Sequence, residues 1–115
     1  MEFSDTLIFG ETQPIEVVGE GVRRQMMGYD DKIMMVKVWF EEGSIGYVHS
    51  HHHSQVTYVE SGEFDVNIDG KITRLKVGDS FRIPPMVSHG AVCVKSGILI
   101  DVFSPVREDF LTEAA

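Results

Sequence analysis

The five histidines of the chain fall in two places: positions 49, 51, 52 and 53 form one cluster, and His89 stands alone. Neutral imidazole is a common ligand for borderline divalent metals. An extended His-x-His sets both rings on one face of a strand, so His49 and His51 can grip one ion together. Gln55 keeps the same parity at the start of the next apolar run and brings an amide oxygen. His89 follows Pro84-Pro85, which stop a strand and turn the chain back. These positions suit three strands of a closed sheet aiming their donors into a barrel interior. His52 has the opposite parity and is expected to be exposed. His53 shares the ligand parity but falls in the turn, where support for a ligand and no special role both stay open.

A site of three neutral imidazoles and one amide oxygen leaves the charge of a divalent ion uncompensated. Such an ion is the better Lewis acid for an anionic oxygen and does less to stabilise a higher oxidation state. Polarising an enolate, carboxylate or carbonyl is therefore favoured over oxygen activation. Donors of this type accept Ni, Fe, Mn, Co or Zn.

The run Ile98 to Phe103 (ILIDVF) is apolar on both faces apart from Asp101, which predicts an interior strand with a carboxylate held among hydrophobes. An ionised Asp buried there needs a partner or a raised pKa. Arg107, just past Pro105, is the candidate partner. On this strand alone, a structural Asp–Arg pair pinning the tail and a functional carboxylate beside a metal are equal readings.

Short apolar or alternating runs supply the elements that must position these groups. Lys32–Glu41, Gln55–Val59, Glu63–Ile68, Lys71–Val77, Ser80–Ile83, Gly90–Val94 and Ile98–Phe103 read as strands, and Asp69-Gly70 as a type I′ hairpin. Many short strands at close spacing predict an all-β sandwich or barrel. Pro105 followed by Arg107-Glu108-Asp109-Phe110-Leu111 predicts one short C-terminal helix. Met26, Met27, Met34, Met35 and Met86 read as core fillers, Met86 alternatively as narrowing a pocket mouth. Trp39 and Tyr58 suit packing as well as function.

The 115 residues are expected to form a single domain. A net charge of −8 with ten scattered Lys and Arg argues against a nucleic-acid partner. The N-terminus has neither a basic region nor a long apolar run, so no leader or membrane segment is expected. A single cysteine, Cys93, fits a reducing cytoplasm. Leu7-Ile8-Phe9 could cross to a second copy in a homodimer.

Two linked motifs carry a family resemblance. Gly43-(x)5-His49-x-His51-(x)3-Gln55-(x)6-Gly62 resembles the first cupin motif, with Gln where Glu is usual. Gly78-(x)5-Pro84-x-Met86-(x)2-His89 resembles the second, with Met86 in place of the usual Gly and Cys93 where Asn often closes it, so the motifs span 43–62 and 78–93. Between them, Glu63 to Val77 matches the short spacer of compact cupins. The implied fold is the cupin jelly roll, a small double-stranded β-helix. Gly21-Val22-Arg23-Arg24, Val56-Thr57-Tyr58-Val59, Gly78-Asp79-Ser80 and the stretch from Asp101 to Leu111, within the strand and tail 98–115, resemble more narrowly the KdgF group of pectin-degradation cupins. That resemblance implies a metal held by His49, His51, Gln55 and His89, and active-site roles for Asp101, Phe103 and Arg107. It implies opening of 4,5-unsaturated monouronates, the products of pectin or alginate lyases, to linear 4-deoxy-5-keto-uronates. Arg23, Arg24 and Arg82 are possible further carboxylate contacts. A small oxidative cupin and a non-catalytic sugar-binding cupin are the rival readings.

Overall fold

The computed structural model describes residues 2–112. In chain order the elements are β1 Ile15–Gly19, β2 Val22–Tyr29, β3 Met34–Phe40, β4 Ile45–His49, β5 Ser54–Ile68, β6 Lys71–Lys76, β7 Ser80–Ile83, β8 His89–Ser104 and α1 Glu108–Thr112. The pairing order is β1-β2-β3-β8-β5-β6, with β4 on β8 and β7 on β5, all antiparallel.

The long strands β5 and β8 organise this jelly roll. The start of β5 pairs with β7 and the end of β8, whereas its second half pairs with β6 and the start of β8. The start of β8 in turn carries β4, and its end carries β3. Two layers thus share two bent strands. The sheet does not close on itself, contrary to the closed barrel expected above. Side-chain packing joins the layers where hydrogen bonds do not.

The bends explain why two pairs of predicted strands are each one strand. Register shifts in β5 between Val59 and Phe64, where β5 bends against β8. There Gly62 has φ 80°, and a Cβ on it would stand 2.5 Å from the Lys95 carbonyl oxygen; a Cβ on Gly97 would strike the Ser61 carbonyl. Only glycine allows the strands to cross so closely. Asp69 and Gly70 both have positive φ, 53° and 86°, as the type I′ turn requires.

Alternation fills the interior: Met34, Val36, Val38 and Phe40 of β3 face Val59, Phe64 and Leu99, with Phe40 edge-on to Phe64 at 5.2 Å. Met26 and Met34 are buried as expected, but Met35 and Met86 are exposed and are not core fillers. The sequence reading gave no strand at β1 or β2, and of β4 it caught only the end, as the extended His49-x-His51. In β2 the polar run Arg23-Arg24-Gln25 hides the pattern, because Arg24 and Gln25 are both buried. Gln25 Nε2 donates to the carbonyls of Gly10 and Gln13, 2.8 and 3.0 Å, fastening the N-terminal segment to β2. Within that segment Leu7 and Phe9 stay exposed.

Candidate metal centre and active site

His49 ends β4 and His89 begins β8, where the two are register partners. Gln55 is the second residue of β5, and His51 lies in the connection between β4 and β5 rather than on a strand. The His49–His89, His51–His89 and His49–His51 ring centroids are 4.4, 4.8 and 5.6 Å apart. A donor atom from each of the three rings lies within 4.8 Å of the other two.

Backbone carbonyls set the rings. Nδ1 of His49 bonds the Tyr47 carbonyl at 2.7 Å, that of His51 the His53 carbonyl at 3.1 Å, and that of His89 the Val87 carbonyl at 3.0 Å. A carbonyl only accepts, so each Nδ1 carries the proton and each Nε2 keeps its lone pair. His89 Nε2 is buried without a hydrogen-bond partner. His51 Nε2 lies 3.0 Å from Gln55 Oε1. Two lone pairs facing each other at that distance repel unless a cation stands beside them. The donor set therefore fits a divalent ion. Burial and the Arg107 charge hold the His51 pKa down, and burial pushes that of His89 down to about 4, so both stay neutral and ready to ligate at neutral pH.

The Gln55 amide also makes hydrogen bonds on its nitrogen side. Its Nε2 donates to Thr57 Oγ1 at 2.9 Å, and the Thr57 hydroxyl donates to Asp101 Oδ1 at 2.6 Å. A longer contact of 3.5 Å joins Gln55 Nε2 to the same carboxylate oxygen. A glutamate at 55 would remove that N–H and set a second negative charge beside Asp101, which gives a physical reason for the amide here. Thr57 is fully buried and was missed in the sequence. Its signal was available: it is polar and shares the parity of Gln55.

Asp101 sits in β8 between Val36 and Thr57 in register. Burial raises its pKa to about 6, against the Thr57 hydrogen bond and the Arg107 charge, which lower it. The expected Asp101–Arg107 pair is not formed. Arg107 instead grips Asp109 through Nε and Nη2, at 3.0 and 2.8 Å, because two positions apart at the start of α1 their planar groups meet side by side. Arg107 acts on Asp101 through its charge alone.

Phe103 is 3% exposed and meets His51 and Phe110 edge-on at 5.7 and 5.6 Å. One cavity is bounded by His49, Gln55, His89, Asp101, Phe103 and Arg107, and the His51 ring meets Phe103 edge-on. Of the three further arginines, only Arg24 lines it; Arg23 is exposed beside Trp39, and Arg82 is exposed. His52 is exposed as expected, whereas His53 is buried and its carbonyl orients His51. Met86, at the usual glycine position, has φ 68°, and its N–H donates to the His51 carbonyl at 2.7 Å. A side chain in that region costs on the order of 1 kcal/mol, here spent holding the His51 loop.

In the metal-stripped protein, His89 and Asp101 pull stability in opposite directions with pH. Unfolding His89 takes up a proton between about 4 and 6.5, so its contribution is lost as pH falls. Folding Asp101 takes up a proton between 3.8 and about 6, so its contribution is lost as pH rises. Each displacement corresponds to about 3 kcal/mol, and the two largely cancel. Asp101→Asn removes one arm. Its melting temperature should climb with pH between 4 and 6.5 more steeply than that of the unaltered protein; parallel curves would contradict the burial of Asp101.

Among known proteins, the Cupin domain family matches residues 36–103. The pectin degradation protein KdgF of Dickeya dadantii (strain 3937) is 43% identical over 100 residues, 85% of this chain and 91% of that protein. The crystal structure of an RmlC-like cupin from Shewanella frigidimarina NCIMB 400 superposes with a TM-score of 0.93 at 57% identity, covering 96% of this chain and 99% of that one. The structure of KdgF from Halomonas sp. gives a TM-score of 0.88 at 33% identity, covering 93% and 99%. No helix among the described residues is long and apolar enough to cross a membrane.

Proposed function

Because this chain belongs to the cupin domain family and resembles KdgF over most of its length, we propose that it is a metal-dependent enzyme that opens 4,5-unsaturated monouronates to linear 4-deoxy-5-keto-uronates. The observation that carries the reading is Asp101. It faces the same cavity as His49, His89 and Gln55, and is tuned to about 6, where a carboxylate both accepts and releases protons near neutrality.

The reaction is an isomerisation and needs no co-reactant. The bond from C1 to the ring oxygen breaks as the anomeric hydroxyl loses its proton and becomes an aldehyde. The ring oxygen leaves as an enolate on C5, and a proton arriving at C4 turns that enolate into the ketone. One proton leaves and one arrives. A divalent ion (Ni, Fe, Mn, Co or Zn) held by His49, His51, Gln55 and His89 would supply Lewis acidity for the negative charge developing on the C5 oxygen and the carboxylate.

Asp101 accepts the anomeric proton or delivers the one to C4. Thr57, donating to Asp101 Oδ1, holds the carboxylate in place. Arg107, already braced by Asp109, presents its remaining N–H groups to the substrate carboxylate. Phe103 forms an apolar wall that keeps water from the sugar. We place the protein in the cytoplasm, in keeping with its lone buried Cys93. We also propose a homodimer, which the exposed Leu7 and Phe9 favour and which sedimentation would reveal as twice the chain mass.

The test is product analysis in deuterium oxide. The metal-loaded protein should convert the unsaturated monouronate to a linear keto acid carrying deuterium at C4, without taking up dioxygen. Oxygen consumption would replace this reading with an oxidative cupin, and an unchanged sugar would replace it with a binding protein.

A further inference from the structure

Two guanidiniums of the cavity rest on one aromatic ring. Arg24 points inward from β2 with its side chain only 7% exposed, and its guanidinium carbon stands 4.2 Å from the centroid of Phe110. Arg107 stands 4.1 Å from the same centroid. Phe110 belongs to α1, so the short C-terminal helix joins a cation from β2 to the one at its own start.

Arg24 shares the cavity with His49, Gln55, His89, Asp101 and Phe103. Its neighbours along the wall are apolar, among them Val18, Val38, Phe40 and Leu99. A guanidinium in such surroundings is costly to desolvate, and it binds an anion more strongly there than it would in water. Glu16 pairs with its Nε at 3.7 Å. Arg107, for its part, has already committed its Nε–Nη2 edge to Asp109. A substrate carboxylate meets only what remains of that fork.

We propose that Arg24 is a second carboxylate-binding residue of this cavity, so that an anionic sugar is held with its carboxylate between Arg24 and Arg107 at the edge of Phe110. The inference rests on the uronate reading of the site and deepens it. The two arms would make the pocket select uronates over neutral sugars of the same shape.

Calorimetric titration of the metal-loaded protein with galacturonate and with galactose tests this. Arg24→Met should weaken galacturonate by about 10- to 100-fold, the scale of a lost charged hydrogen bond. Galactose affinity and metal content should be unchanged. On the unsaturated monouronate, KM should rise by a similar factor while kcat moves much less. Arg24→Lys keeps a charge and the stem over Phe110 but loses the fork, so it should fall between, and it carries the test should the methionine variant not fold. The proposal is overturned if galacturonate binding is unaffected, if both sugars weaken alike through loss of Phe110 packing, or if the unaltered protein shows no uronate preference. If the preference exists and Arg24→Met abolishes it, yet the unsaturated sugar is never turned over, Arg24 keeps its role and the ring-opening reading falls.

Discussion

Asp101→Asn is expected to lower turnover of the unsaturated monouronate by about 10²- to 10⁴-fold, the range for removing a positioned acid–base group. The metal should stay bound, because Asp101 touches the ligand set only through Gln55 and Thr57. KM should change little, since the substrate carboxylate is assigned to the arginines. The activity of the unaltered protein should carry an acidic limb at or below about 6, for the carboxyl lies there by burial and a bound dication lowers it further. In the variant that limb should vanish. Steady-state rates across pH, with metal content measured on the same samples, check all of this. A variant retaining full rate and full metal would remove Asp101 from the chemistry and leave it a buried structural group.

His89→Ala should be more severe, because it removes a ligand outright. Changes to residues that merely orient metal ligands cost about 10- to 100-fold in affinity, so loss of the ligand itself should exceed about 100-fold. Turnover should disappear with the metal. His89 is the best choice among the three imidazoles because its Nε2 is buried and has no protein partner, so its removal breaks no other hydrogen bond of that atom. His52→Ala is the control: the ring is exposed and outside the cluster, so metal content and rate should be kept. Metal analysis after dialysis reads both variants. Equal metal in the two would place the ion elsewhere.

The sequence made the candidate ligands legible because their constraints are local. Parity along an extended chain placed His49 and Gln55, and two prolines placed His89 after a turn. The strands bearing clean alternation, such as β3 and the second half of β5, were readable for the same reason. What escaped was set by contacts across the fold. β2 was hidden because burial of Arg24 and Gln25 depends on the cavity on one side and the N-terminal segment on the other, neither visible in the local pattern. The union of the predicted runs into β5 and β8 depends on Gly62 and Gly97 meeting across the layers. Sequence proximity also misled: Arg107 looked the natural partner of Asp101, yet Asp109 lies nearer in space, and Thr57, far away in sequence, supplies the hydrogen bond instead.

The most direct test follows the ultraviolet absorbance of the unsaturated uronate's conjugated double bond with one protein sample in three states: metal-loaded, stripped by chelator, and reloaded with one equivalent of divalent ion. The account predicts that the absorbance decays with the loaded protein, holds steady with the stripped one, and decays again on reloading. Full-rate decay with the stripped protein, or none with the loaded one, would contradict it.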